Sequence, residues 1–300
     1  MEITAQLVKE LREQTGVGIM ECKKALVEAN GNLEQAALLL RTSGKAKAAK
    51  KSSRIASEGV IAQAVSSDGL NGVLVELNCE TDFVAKDAEF NQLAKLAANN
   101  ILTSSFSDIA SNDRMRDLLI SEKGCTLIEC IEQLVAKVGE KITLRRVAKL
   151  TAPDGGMVAS YVHAGRIGAL VSLDINDAAL GKDLAMQVAA SNPIALNQND
   201  LDPQLIAKEK AIYLEQMQNT NKPAAILEQI VNGKVQKFVD EITLEGQIFI
   251  KDSKLHIRDL LAQHHAKALN MARLEVGEGI EKEAKDFASE VAAITGGSAS

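Results

Sequence analysis

Gly72-Val73-Leu74-Val75-Glu76-Leu77 and, about a hundred residues later, Gly168-Ala169-Leu170-Val171-Ser172-Leu173 share the pattern Gly-x-Leu-Val-x-Leu. Each is a short apolar run bounded by turn residues and reads as a strand. Each follows a similar run. Gly59-Val60-Ile61-Ala62-Gln63-Ala64-Val65 precedes the first across Ser67-Asp68-Gly69, and Met157-Val158-Ala159-Ser160-Tyr161-Val162 precedes the second. Two β-hairpins are predicted. After the first comes a helix with Phe90, Leu93, Ala94, Ala97 and Ile101 at helical spacing, a less regular helical stretch ending at Gly139, and a strand, Ile142-Thr143-Leu144-Arg145-Arg146-Val147. After the second come a helix over 184–190 and, near the end, Leu269-Asn270-Met271-Ala272-Arg273-Leu274, an echo of that third strand. The order implies an α+β fold with two related core subdomains built on small antiparallel sheets, 56–150 and 151–200 with 241–276.

Outward from this core, residues 1–40 read as a compact module of short helices. Ile3, Leu7, Val8 and Leu11 form one stripe closed by Thr15-Gly16. Cys22, Ala25, Leu26 and Ala29 face inward on a second helix that stops at Asn30-Gly31, and Asn32 caps a third with Leu33, Ala36, Ala37 and Leu40. So small a module suits docking better than catalysis. Residues 41–54 hold six positive charges and no acid, and 41–55 is expected to be a basic, partly helical linker, with RNA contact as the functional alternative. Residues 201–240 form an inserted helical hairpin: Asp202-Pro203 supplies a cap and a first-turn proline, and 219–223 turn the chain. The return arm carries Ile226, Leu227, Ile230, Val231, Val235, Phe238 and Val239 at spacing suited to an antiparallel coiled pair. Residues 277–300 read as a terminal helical arm.

With 300 residues, 46% of them hydrophobic, the chain has material for several domains, and 3% aromatics leave Ala, Leu, Ile and Val to fill the interior. A net charge of -6 argues against a dedicated nucleic-acid binder. Cys22, Cys79, Cys125 and Cys130 contain no C-x-x-C pair, so reduced buried thiols are expected instead of a disulfide or zinc framework. The N-terminus lacks a basic n-region and apolar h-region, and no apolar run approaches membrane-spanning length, so a cytoplasmic protein without membrane association is expected.

The sequence contains no phosphate loop, no dinucleotide fingerprint and no nucleophile in a recognisable setting. His264 and His265 are adjacent, roughly a hundred degrees apart on a helix, where zinc needs i,i+4 spacing. No cofactor and no metal are expected, and an enzyme reading has little support. The unusual stretch is Asn78-Cys79-Glu80-Thr81-Asp82-Phe83-Val84-Ala85-Lys86, at a strand-to-helix junction. From the residues alone, Thr81 or Asp82 capping a helix with Phe83 in the core competes with an exposed functional tip.

Four strings carry a resemblance: Leu11-Arg12-x-x-Thr15-Gly16-x-Gly18-x-Met20-x-Cys22-Lys23-Lys24-Ala25-Leu26; Cys79-x-Thr81-Asp82-Phe83-Val84-Ala85-Lys86; His163-x-Gly165-Arg166-Ile167-Gly168; and Leu274-Glu275-Val276-Gly277-Glu278-Gly279-Ile280-Glu281-Lys282. In this order they resemble the elongation factor Ts family, exchange factors for the GTPase elongation factor Tu. The resemblance implies an N-terminal module of ubiquitin-associated type, an inserted coiled-coil hairpin and a C-terminal arm that embraces the GTPase. It also implies that Asp82 and Phe83 push into the GTPase beside its Mg2+ site, with Thr81 and Val84 shaping the loop. Arg12, Ile19, Met20 and His163 would be further contacts; Ile19 stands where some members have Met, a swap that keeps apolar contact. The partner implied is elongation factor Tu, with a homodimer or a 2:2 complex as the expected assembly and no direct nucleic acid. An RNA- or ribosome-associated protein using the basic run is the alternative.

Overall fold

The computed structural model describes residues 3–104, 118–120, 122–217 and 223–281. The fold is mixed α/β, with small antiparallel sheets and helices covering them. The turn at 219–222 and the terminal arm from 282 onward lie outside the described residues.

Three helices open the chain: α1 (Ala5–Thr15), α2 (Ile19–Glu28) and α3 (Leu33–Lys51). Thr4 caps α1 by accepting from Leu7 N at 3.3 Å, and Asn32 caps α3 by accepting from Gln35 N at 3.0 Å. Val8, Leu11, Val17, Cys22, Leu26 and Ala36 close a small core among them. The third helix does not stop near Leu40: residues 41–51, expected to be linker, are its second half. Ala and Lys are good helix formers. The added turns also pack on α6 (Leu127–Val138), where a Cβ built on Gly44 would stand 3.2 Å from Ala136 Cβ.

The first sheet is ordered β1 (Glu58–Val65), β2 (Asn71–Cys79), β5 (Thr143–Thr151), with Ala62 opposite Val75 and Val75 opposite Val147. Between β2 and β5 lie α4 (Asp82–Ala85), α5 (Ala88–Thr103), the paired short strands β3 (Leu119–Ile120) and β4 (Cys125–Thr126), and α6. The second sheet is ordered β6 (Met157–His163), β7 (Ile167–Leu173), β10 (Ala268–Glu275), with Val171 opposite both Ala159 and Met271. Helix α7 (Ala178–Ser191) follows β7. Helices α8 (Pro203–Gln216) and α9 (Ala224–Ile242) come next, then β8 (Ile248–Phe249), β9 (Asp252–His256) and α10 (Ile257–Gln263).

Both central strands are buried on both faces because both faces are covered. One face of β2 packs Val73, Val75 and Leu77 against Phe90, Leu93 and Ala97 of α5 and Leu134 of α6. One face of β7 packs Ala169, Val171 and Leu173 against Leu180, Leu184 and Val188 of α7. The remaining faces meet: Ile61, Leu74, Ala148 and Leu150 lie against Val158, Leu170 and Leu274.

One buried acid crosses this assembly. Glu76 on β2 has a fully buried side chain and accepts from Arg145 Nη1 (3.1 Å), Arg146 Nε (2.5 Å), Asn78 Nδ2 (3.1 Å) and Gly277 N (2.9 Å). Arg146 also reaches Glu278 at 2.9 Å, so the segment after β10 is bound to the first sheet. The cysteines depart from expectation: Cys22 and Cys79 are free and buried, but Cys125 and Cys130 form a disulfide. A strand-to-helix turn brings two thiols five residues apart within bonding reach, which sequence spacing alone did not signal.

Candidate functional site

β2 ends at Cys79 and α4 begins three residues later, so the chain must turn out of the sheet within 79–82. Thr81 is the N-cap, its Oγ1 accepting from Val84 N at 3.4 Å. Val84 and Ala85 face inward onto the first core. Asp82 is exposed and pairs with Lys86 Nζ at 2.6 Å, one helical turn on. The hydrogen bond from Lys86 holds the Asp82 carboxyl below its usual range, so it stays ionised at neutral pH. Phe83 points outward and is 81% exposed. The two readings left open by the sequence are thereby separated: Thr81 caps the helix, but Phe83 is not in the core.

The loop is pinned from behind by a residue that sequence reasoning missed. Glu140 Oε2 accepts from Thr81 N (2.9 Å) and Glu80 N (3.1 Å), and Glu140 Oε1 accepts the Thr81 hydroxyl (2.6 Å). In return, Glu80 Oε1 accepts from Lys141 N at 2.6 Å. Beneath it Cys79 donates to Thr81 O at 3.2 Å. Burial, reinforced by the carboxylates of Glu140, Glu58 and Glu80, pushes the Cys79 thiol up to about 12. It is therefore a packing residue and not a nucleophile. Among the described residues no group of three or more His, Cys, Asp or Glu could hold a metal ion, and no helix is long and apolar enough to cross a membrane.

The other candidate residues stand on separate elements. Arg12 is exposed on α1, and Ile19 and Met20 are exposed in the first turn of α2, Met20 by 75%. His163 is exposed at the end of β6, where Tyr161 Oη lies 3.1 Å from its Nδ1. The N-terminal helices are tied to the loop through the basic run. Arg41 pairs with Glu129, Lys45 with Glu132 at 4.0 Å, and Lys47 with Glu21; Lys51 donates to Gly139 O, and Arg54 pairs with Glu80 at 3.2 Å. His264 pairs with Asp177 at 2.9 Å, apart from His265.

A family model described as elongation factor TS matches residues 80–278, opening one residue before Thr81. Elongation factor Ts of Methylococcus capsulatus is 48% identical over 295 residues, covering 98% of both chains. Those of Thioalkalivibrio sulfidiphilus and Coxiella burnetii are 44% and 46% identical over 98% and 97% of this chain.

The chain belongs to the elongation factor Ts family.

The family match begins at the loop, whereas Arg12, Ile19 and Met20 precede it and fall only within the whole-chain similarity to elongation factor Ts relatives.

Proposed function

We propose that this chain is a guanine-nucleotide exchange factor of translation elongation, binding the GDP form of elongation factor Tu and releasing GDP without making or breaking covalent bonds. The carrying observation is Phe83, an aromatic side chain left exposed at the tip of a capped single helical turn. Leaving such a side chain in water forgoes on the order of 2 kcal/mol of burial, which a partner's apolar pocket recovers on binding.

A GTPase holds GDP through its phosphates and a Mg2+ that demands near-octahedral geometry, so small displacements there are costly. In this reading Asp82 and Phe83 enter beside that site and shift the packing around it, while Thr81 and Val84 hold the loop's shape. Arg12, Ile19 and Met20, on a module of ubiquitin-associated type, and His163 on the second subdomain supply affinity at a distance, as does the arm 277–300. The inserted hairpin at 201–240 acts as a coiled coil in partner contact or self-association, including a 2:2 complex. Linkage then sets the yield: a factor that binds the nucleotide-free GTPase tenfold tighter weakens GDP tenfold, about 1.4 kcal/mol.

The basic run at 41–55 is not read as an RNA site, because Arg41, Lys45, Lys47, Lys51 and Arg54 already face carboxylates or a carbonyl. The site of action proposed is the cytoplasm. Catalytic amounts of the chain should accelerate loss of labelled GDP from elongation factor Tu; an unchanged release rate would refute the reading.

A further inference from the structure

Helix α4 is a single turn, and a helix that short has no stability of its own. Phe83, being exposed, contributes no packing that would fix its own direction. The aim of the tip must therefore come from the packing of Val84 and Ala85 on the core and from whatever holds the start of the turn. The start of the turn is held by the carboxylate of Glu140, which takes up two consecutive backbone N–H groups and the Thr81 hydroxyl, while Asn91 Nδ2 donates to Ala85 O at its end (2.8 Å). Hydrogen bonds to an ionised acceptor are roughly twice as strong as neutral ones. The hydroxyl bond also has a directional effect: with its proton committed to Glu140, Thr81 Oγ1 presents lone pairs toward Val84 N, the capping bond that starts the turn.

Glu140 is itself held. It follows Gly139, the left-handed C-cap of α6, whose carbonyl accepts from Lys51. Its neighbour Lys141 donates its backbone N–H to Glu80 and its Nζ to Arg54 O at 2.7 Å. Residues 80–81 and 140–141 thus exchange side-chain-to-backbone bonds in both directions, a two-way clamp. We infer that Glu140 is a positioning residue for nucleotide exchange: resting on the exchange reading above, it orients Phe83 through Thr81 without touching the partner.

Acting through the loop makes Glu140 different from a residue that merely holds the fold. Glu140→Ala should slow GDP release from elongation factor Tu about tenfold at saturating factor, with the half-saturating concentration changed less than about twofold, since the remote contacts remain. In a Phe83→Ala background the same substitution should cost less than about twofold, because the tip it aims is gone. In the free chain, hydrogen exchange at the Glu80 and Thr81 amides should accelerate in Glu140→Ala while core amides of β2 keep their protection. Glu140→Gln, which keeps one acceptor oxygen and the side chain's volume, should fall between the two and guards against a variant that does not fold.

Wild-type protein that leaves GDP release unchanged refutes the exchange reading. An active wild type with the same fold loss from Glu140→Ala in both backgrounds, or with unchanged amide exchange at Glu80 and Thr81, refutes the role given to Glu140 alone.

Discussion

Gly168 of the second hairpin lies under Leu74 of the first, so close that a Cβ built on Gly168 would stand 3.0 Å from Leu74 Cδ2 and 2.5 Å from Ile61 Cγ2. The relationship is reciprocal: a Cβ on Gly72 would stand 3.3 Å from Leu170 Cδ2 and 2.5 Å from Val158 Cγ1. The Gly and Leu of each Gly-x-Leu-Val-x-Leu repeat thus receive the Leu and Gly of the other, and the two sheets approach across this pair of contacts.

Gly168→Ala should destabilise the chain by about 1–3 kcal/mol, since a methyl forced into a filled interface displaces its neighbours. Gly233→Ala should do the opposite. It lies in α9 with no heavy atom within 4 Å of a built Cβ, so a gain of about 0.5–1 kcal/mol is expected from helix propensity alone. Urea melts of the two variants check the opposite signs.

Glu76 gives the fold an acid-sensitive point. Burial pushes its carboxyl up, but the Gly277 N–H, Arg146 and Asn78 outweigh that and hold it below the ordinary 4.5. Because its pKa is lowered on folding, its contribution is present above 4.5 and is lost as pH falls through the folded value. Glu76→Gln should cost about 3 kcal/mol at pH 7, leaving the arginines without their buried partner. The gap to wild type should narrow as pH drops below 4.5, measured by urea melts across that range; a constant gap would contradict the assignment.

Cys79 should resist alkylation in the native chain at pH 8, its thiol being buried and raised to about 12, and should label only on unfolding. Peptide mapping after iodoacetamide treatment checks this. Labelling at the rate of an exposed thiol would show that the loop opens far more often than the clamp from Glu140 allows.

Met20→Ala should leave stability within about 0.5 kcal/mol, because the side chain is largely in water. It should weaken binding to nucleotide-free elongation factor Tu by about five- to tenfold, near 1 kcal/mol, without lowering the maximal rate of GDP release. Calorimetry and a stopped-flow titration separate the two quantities.

Much of the fold was legible because it is written in local backbone chemistry. Asn32, Asp202-Pro203 and Thr15-Gly16 mark helix ends by the bonds and angles they favour, and the repeated hexapeptide marks the central strands. What was not legible depends on partners distant in sequence. The helical tendency of 41–54 could be read from its Ala and Lys, but that α3 runs unbroken to Lys51 could not, because it packs Gly44 on α6 and nothing within 41–54 announces α6. The Cys125–Cys130 bond depends on how β4 turns into α6. At the candidate site, the strand-to-helix junction and its Thr cap could be read, but an apolar Phe83 suits a core or a tip equally until the fold places it. Glu140 carried no signal, since its bonds to Thr81 span 59 residues.

On the exchange reading proposed above, the exposed Phe83 acts on a partner and contributes nothing to the fold. The rate of GDP release from elongation factor Tu with saturating wild-type or Phe83→Ala protein, alongside a thermal melt of each, decides this. The predicted result is release slowed at least about tenfold, or 1.4 kcal/mol of lost transition-state stabilisation, with an unchanged melting temperature. Equal release rates, or a loss of rate matched by a loss of folded protein, would contradict it.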